Sequence, residues 1–218
     1  MIWIITAMPQ EAQIIIEKYN LKLAKQYKNI KFFSNENIVL VITGIWKIQA
    51  SIWTTLLLNL YKLDKIINIW IAGNTWLDSK SKIGDVFIVK KVYQHDWYLP
   101  FDWSHLDYFK LPITLPEIKI SKIFDFNLIY GDCATWDQFI DDQKLLEKIK
   151  NTYKVHIVEM EAFAVASVVR EFDLLDKLII IKAVSDWWNK KAIQDHEKNL
   201  DLAMKNSINV LDFLIFNN

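Results

Sequence analysis

Four acidic side chains stand beside buried segments, where carboxylates often do chemistry. Glu11 lies just after the apolar run IWIIT, and Asp186 closes the apolar run LIIIKAVSD. Glu159 and Glu161 lie in the apolar stretch VEMEAFAVA, where a charge is costly unless it is paired or used. Such acids can act in general acid–base catalysis, or they can cap a helix and favour its dipole. The residues alone leave both interpretations open.

The other reactive side chains show no pattern typical of a metal or redox site. The histidines lack metal-ligand spacing, and there is a single cysteine, Cys133. No glycine-rich phosphate loop is present as the chain is written. We therefore predict no metal and no cofactor, and we expect Cys133 to be a buried small apolar residue.

Apolar strands that alternate with amphipathic helices must position these acids. This pattern predicts an α/β fold, a three-layer α/β/α sandwich whose central sheet is largely parallel and covered on both faces. A hairpin-like pair at residues 30–35 and 37–43 makes the sheet mixed. The last helix is expected from about Ala192 to Phe216. No linker or repeat interrupts the chain, so we expect one domain spanning 1–218.

Ligands of such sheets bind at the carboxyl ends of the strands. Several candidate residues share this position, because each falls just beyond a strand or in the turn that follows it. They are Glu11, Gly44, Gly73, Phe139, Glu161 and Asp186. We therefore predict a single site at this edge of the sheet.

Composition excludes several other classes of protein. The 218 residues carry 26 basic and 26 acidic side chains, which gives no reason to expect a nucleic acid or an anionic membrane as partner. The N-terminus has no basic region before its apolar run, and no apolar run reaches the length of a membrane span. A reducing, cytoplasmic location is the simple expectation for a chain with one cysteine.

Short strings over nearly the whole chain resemble one known family. They are AMPQE at 7–11, TGIWKIQASIWTTLLL at 43–58, INIWIAGNTWLDSKSKIGDVFI at 67–88, ATWDQFI at 134–140, VEMEAFAVA at 158–166 and AVSD at 183–186. In order and spacing they are similar to the 5′-methylthioadenosine/S-adenosylhomocysteine nucleosidases of the purine nucleoside phosphorylase superfamily. The stretch 97–120 is the weakest part of the resemblance.

The resemblance implies hydrolysis of the N-glycosidic bond of a purine nucleoside. Glu11 would activate the attacking water, and Asp186 would protonate the purine at N7. Phe139 would stack on the purine, and the main chain of Ile140 would read its edge. The remaining residues that the resemblance places around the substrate are Met8, Ile45, Ala72, Gly73, Glu159, Met160, Glu161 and Ser185, with Met160 and Glu161 holding the ribose.

The arginine content of the chain distinguishes hydrolysis from phosphorolysis as the expected reaction. Phosphorylases of this superfamily bind phosphate with arginines, and Arg170 is the only arginine of this chain. Lysine neutralises phosphate without the bidentate grip of a guanidinium. Hydrolysis is therefore favoured. The alternatives are a nucleoside phosphorylase, a hydrolase for another purine nucleoside such as futalosine, and a nucleoside-binding protein without turnover.

Glycine and tryptophan contents are both unusual. The chain has 4 Gly and 10 Trp, whereas a chain of this length ordinarily carries roughly 15 glycines. Five tryptophans fall where the family commonly has glycine: Trp3, Trp46, Trp53, Trp70 and Trp136. We hypothesise that the gene uses UGA for glycine and that this sequence translates UGA as tryptophan. The alternative is a genuine tryptophan-rich variant.

The family's members are homodimers in which the partner covers the 5′ end of the substrate. The resemblance therefore implies a homodimer, and the aromatic stretch 97–112 is the candidate for that contact.

Overall fold

The computed structural model describes residues 1–28, 30–77, 80–97, 108, 111–138, 140, 142–186 and 192–216, without the side chains of 192–197. Phe139, the predicted purine-stacking residue, lies outside the described residues. Most of the predicted dimer contact at 97–112 also lies outside them.

Ten strands and five α-helices form from the described residues. The strands are β1 (Ile2–Thr6), β2 (Lys22–Tyr27), β3 (Ile30–Ser34), β4 (Ile38–Ile42), β5 (Lys65–Asn74), β6 (Val86–Gln94), β7 (Ile113–Thr114), β8 (Leu128–Thr135), β9 (Ile157–Glu159) and β10 (Leu178–Asp186). The helices are α1 (Pro9–Lys18), α2 (Lys47–Leu60), α3 (Gln143–Tyr153), α4 (Ala162–Glu171) and α5 (Ala192–Phe216). None of these helices is both long enough and apolar enough to cross a bilayer.

The sheet is mixed and largely parallel, as the sequence predicts. Strands β4, β1, β5 and β10 lie side by side and run parallel, and β3 and β2 add an antiparallel edge. On the other side β6 is antiparallel to β10 and parallel to β8. The short β9 joins β8 to β5. Strands β5, β10, β6, β8 and β9 therefore close into a ring, which the sequence does not predict.

Helices cover both faces of the sheet, which confirms the three-layer α/β/α architecture. Side chains alternate along each strand, so Trp3 and Ile5 of β1 enter one core and Ile4 enters the other. The first core lies under α2 and α4, and the second lies under α1 and α5. The parallel strands of β1, β5 and β10 thus present their carboxyl ends at one edge, between the two helical layers.

The turn between β4 and α2 has a backbone that only glycine adopts easily. Gly44 has φ 81°, and Trp46, which directly precedes α2, has φ 85° and ψ 151°. The Trp46 pair of angles falls close to a region that is essentially reserved for glycine and costs other residues of order 1–3 kcal/mol. Trp46 is also half exposed, so packing of its indole offsets little of this strain.

Replacing Trp46 with glycine is expected to raise the free energy of unfolding by about 1–2 kcal/mol, because the strain is relieved. Urea denaturation measures the change. Trp53→Gly in the same helix is the matched control, since Trp53 has helical geometry and packs against Tyr27 and Phe32. That control should destabilise by about 1 kcal/mol or more. A loss of stability in Trp46→Gly would contradict the inferred strain.

Candidate active site

A pocket of about 150 Å³ opens at the carboxyl edge of β5, β9 and β10. It is lined by Met8, Ile45, Trp70, Ile71, Ala72, Gly73, Val158, Glu159, Met160, Glu161, Ser185 and Asp186. Most of the residues that the sequence proposes for the site are therefore brought together in one place. Small-molecule sites usually measure about 300–1,000 Å³, so this pocket is small.

Among the predicted residues that the structure describes, Glu11 and Ile140 do not line the pocket, and three lining residues were missed. Glu11 is fully buried behind Met8, to which it is hydrogen-bonded. Ile140 packs in a small core cluster with Val158. The missed residues are Trp70, Ile71 and Val158. Ile71 and Val158 could have been found because they adjoin the predicted residues Ala72 and Glu159.

One carboxylate oxygen of Glu11 is hydrogen-bonded, and the other, called its open oxygen below, is not hydrogen-bonded to any described residue. Its Oε2 accepts hydrogen bonds from the Thr6 hydroxyl and the Met8 N–H, both at 3.1 Å. Its Oε1 is buried without a hydrogen-bond partner among the described residues. Burial raises the pKa of Glu11 to about 7, against the lowering effect of the two hydrogen bonds. A carboxyl with this pKa can exchange a proton near neutral pH.

Glu159 is saturated by partners within the protein. Its Oε1 accepts from the Thr135 hydroxyl at 2.5 Å, and its Oε2 accepts from Lys182 Nζ at 2.9 Å. The same Oε2 accepts the N–H groups of Glu161 and Ala162 at the start of α4. Glu159 therefore caps the helix and neutralises a buried lysine, so the capping interpretation holds for this acid although it lines the pocket.

Glu161 keeps part of its carboxylate open to the pocket. Its Oε1 accepts the N–H of Trp46 at 3.0 Å, and its Oε2 is buried with no hydrogen-bond partner in the described part of the chain. Burial, and next the nearby Glu159, raise the pKa of Glu161 well above its usual value. An open oxygen of this kind is suited to accept a hydroxyl of a bound ligand.

Asp186 stands at the end of β10, opposite Gly73. The pairing register shifts between Val184 and Asp186, and such an irregularity bends the end of a strand. Ser185 and Asp186, at this end of β10, line the pocket. Asp186 Oδ2 accepts the Ser185 hydroxyl at 2.8 Å, and the Ser185 carbonyl accepts from Asn199 of α5. This support fixes a buried acid at the same edge of the sheet as Glu11.

Two acids lie at the same edge of the sheet, Asp186 in the pocket wall and Glu11 buried behind Met8. Glu11 and Asp186 follow β1 and β10, the two strands that flank β5. Glu161 lies beside them with an open oxygen. Carboxyl groups in different environments can take opposite roles in proton transfer, so the pocket is suited to break a polar bond by acid–base catalysis.

A profile of the Phosphorylase superfamily matches residues 1–215. The 5′-methylthioadenosine/S-adenosylhomocysteine nucleosidase of Buchnera aphidicola subsp. Schizaphis graminum is 35% identical over 228 residues, which cover 98% of this chain and 95% of the relative. A crystal structure from Borrelia burgdorferi B31, named for the same nucleosidase and bound to adenine, has a TM-score of 0.87 and 28% identity, with 99% of both chains covered. Futalosine hydrolase of Helicobacter pylori shares the fold, with a TM-score of 0.81 and 22% identity, covering 100% of this chain and 97% of that one.

The mixed sheet, the carboxylate pocket at its edge and the profile match together define a protein of the phosphorylase superfamily. Within it, the chain belongs to the family of 5′-methylthioadenosine/S-adenosylhomocysteine nucleosidases. The family resemblance identified from the sequence is confirmed.

Replacing Glu11 with glutamine is expected to stabilise the protein at pH 8 but not at pH 5. The pKa of Glu11 is raised on folding to about 7, because burial favours the neutral carboxyl. The stability that this preference contributes is fully present below the unfolded pKa of Glu11 and is lost as the pH rises through 7. The penalty on the ionised form amounts to up to about 3 kcal/mol, and the neutral amide avoids it.

Urea denaturation of both proteins at pH 5 and pH 8 measures this difference. Glu17→Gln removes the same charge from the exposed face of α1 and reports the contribution of net charge alone. An equal effect of Glu11→Gln at both values of pH would show that the buried carboxyl titrates normally.

Proposed function

We propose that this protein hydrolyses the N-glycosidic bond of nucleosides of the 5′-methylthioadenosine/S-adenosylhomocysteine type and releases adenine. The observation that carries the proposal is the buried Glu11, which has one fixed oxygen, one open oxygen and a pKa of about 7. It lies at the strand edge that also holds Asp186. The activity named for the Buchnera relative and the adenine in the Borrelia structure support the same substrate class.

In the proposed reaction, Glu11 Oε1 takes a proton from a water molecule, whose oxygen forms a bond to C1′ of the ribose. The C1′–N9 bond breaks, its electron pair goes to the purine, and Asp186 supplies a proton to N7. The ring passes through a state with positive charge on C1′ and O4′. Carboxylates nearby stabilise that charge, and Glu161 accepts the ribose hydroxyls with its open oxygen.

Water rather than phosphate as the nucleophile is supported by the position of Arg170. This residue lies eight positions after Ala162 on α4, about 12 Å along the axis from the helix start that adjoins Glu161, at about 1.5 Å per residue. Its guanidinium lies 3.9 Å from the Tyr108 ring centroid and contacts Glu171. No other arginine exists in the sequence to clamp a phosphate, which disfavours a phosphorylase.

Incubation with 5′-methylthioadenosine is expected to release adenine at the same rate with and without phosphate. Glu11→Gln and Asp186→Asn should each lower kcat at least about 100-fold, because each removes one proton-transfer group. In the unmodified protein kcat/KM should fall about tenfold per pH unit below about 7, as the Glu11 base becomes protonated. Liquid chromatography of free adenine measures the rate of release in each of these experiments.

Glu17→Gln serves as the matched exposed control and should retain full activity. Release that requires phosphate would indicate a phosphorylase, and activity with futalosine alone would indicate the other hydrolase. Adenine binding without any turnover would favour a nucleoside-binding protein.

The proposal also holds that several tryptophans stand for glycines encoded by UGA. Two tryptophans, Trp46 and Trp76, have positive φ, at 85° and 63°. Trp70 occupies the wall of a pocket that is small for a nucleoside. The indole N–H of Trp3 is buried without a hydrogen-bond partner among the described residues, which is costly. Glycine at these positions relieves each of the problems.

The triple variant Trp46→Gly, Trp70→Gly, Trp136→Gly is expected to raise kcat/KM, because it removes side chains from the pocket wall and from the loops beside it. Steady-state kinetics with 5′-methylthioadenosine measures the gain, and Trp53→Gly is the control away from the pocket. Unchanged kinetics would count against the idea. Genomic DNA gives a direct answer, since UGG at all ten positions would eliminate it.

The proposal further includes a homodimer. Ile48 and Ile52 of α2 are exposed, and Ile45, which lines the pocket, is a further exposed apolar residue beside them. A contiguous apolar surface of this kind is typical of a protein–protein contact.

A further inference from the structure

Lys47, the first residue of α2, contacts the two loops that follow β6 and β8. Its N–H donates to Asp137 Oδ1 at 2.7 Å. Its ammonium lies 2.5 Å from Asp96 Oδ2 and 3.7 Å from Asp137 Oδ2. Asp96 follows β6 and Asp137 follows β8, so a single lysine joins the loops after two strands to the start of a helix.

These contacts are shielded enough to be stronger than an ordinary surface ion pair. The side chains of Lys47 and Asp96 are only 15% and 16% exposed. Burial by itself would raise the pKa of Asp96, but the hydrogen bonds from Lys47 and Gln94 outweigh it and lower the pKa. Asp96 is therefore held ionised opposite the lysine, where solvent screens the pair less than at an open surface.

Asp137 also provides the cap that α2 lacks in its own sequence. Trp46 precedes the helix and makes no side-chain cap hydrogen bond. The Asp137 carboxylate, 90 residues further along the chain, accepts the first helical N–H instead. A negative charge at this end of the helix is also favoured by its dipole. The start of α2 and the loop at 136–138 thus fix each other.

Both ends of this linkage reach the pocket through main-chain groups. On one side, the Trp46 N–H holds Glu161 Oε1 at 3.0 Å, and Ile45 lines the pocket. On the other side, the Trp136 N–H donates to the carbonyl of Glu159 at 3.1 Å. In the sequence, the loop at 136–138 is followed by Phe139 and Ile140, the residues that the family resemblance assigns to the purine.

We propose that Lys47 is a positioning residue that holds the purine loop, residues 136–138, against the start of α2. Lys47 lines no part of the pocket, and its effect passes through Asp137 and Asp96. The inference rests on the proposed function, because it takes Phe139 and Ile140, which follow this loop in the sequence, as the residues that bind the purine of the proposed substrate. It uses main-chain groups and lysine and aspartate side chains only, so it is independent of whether Trp46 and Trp136 are glycine.

Lys47→Met is expected to weaken adenine binding and to raise KM about tenfold, the effect of about 1.4 kcal/mol of lost loop positioning, while kcat falls less than threefold. If Lys47 had only a structural role, Lys47→Met would lower the melting temperature and leave KM of the folded protein unchanged. Calorimetry with adenine and steady-state kinetics with 5′-methylthioadenosine provide the two readouts.

The controls separate the pair from general effects of charge. Lys62→Met removes an exposed lysine just beyond the other end of α2 and should change neither value. Lys47→Arg keeps the cation and should restore most of the adenine affinity. Asp96→Asn combined with Lys47→Met should be no worse than Lys47→Met alone, because the two residues act as a pair.

Unchanged adenine affinity and KM in Lys47→Met would overturn the positioning role while leaving the proposed function intact. If the unmodified protein neither binds adenine nor releases it from the nucleoside, the proposed function fails, and the role of Lys47 in holding a purine loop falls with it.

Discussion

The buried ion pair between Glu159 and Lys182 is the interaction on which the rest of the site depends. Lys182 is fully buried on β10, and Glu159 ends β9, so the pair joins two strands of the closed ring. Glu11, Glu161 and Asp186 are buried nearby, and a group of acids without a cation would strongly resist ionisation. Lys182 lowers the pKa values of both Glu11 and Glu161 relative to what burial alone would give. Removing one partner of such a pair leaves an uncompensated buried charge.

The same pair explains why chemically identical acids have different roles. Glu159 is fully occupied by Lys182, Thr135 and the first N–H groups of α4, so it organises the backbone. That organisation holds the start of α4 in place, and Glu161 is left with an oxygen that no described residue satisfies. Glu11 is likewise half satisfied. Partial satisfaction is costly for stability, and the proposed function assigns Oε1 of Glu11 to the attacking water and Oε2 of Glu161 to the ribose.

Sequence patterns predicted the elements with strong local signals and missed those defined by tertiary contacts. The apolar runs of β1, β5 and β10 were predictable, because burial on both faces of the sheet leaves a continuous apolar signature. The bounds of α5 were predicted as well. Strand β2 was missed because KLAKQY is polar and mostly exposed at the sheet edge. The closure of the ring depends on β9, which has three residues and no distinctive periodicity.

In the candidate site, too, the local signals were visible in the sequence and the tertiary contacts were not. The carboxylates could be found because charges inside apolar runs are rare. Their separate roles could not be assigned, because the partner of Glu159 lies 23 residues away on another strand. The two orphaned oxygens of Glu11 and Glu161 are likewise properties of the folded environment. Nothing in the sequence near Lys47 indicated that Asp137 caps α2 from across the pocket.

The backbone at position 46 connects the composition of the chain with its site. The Trp46 N–H donates to Glu161 Oε1 from a turn in which Trp46 has φ 85° and ψ 151°. A Cβ at such angles is strained, whereas glycine adopts them freely. The hydrogen bond to the proposed ribose-binding acid therefore comes from a turn whose backbone suits glycine, at a position where the sequence as written has the largest side chain. The proposed reading of a glycine codon as tryptophan would account for both the shortage of glycine and the strain beside the pocket.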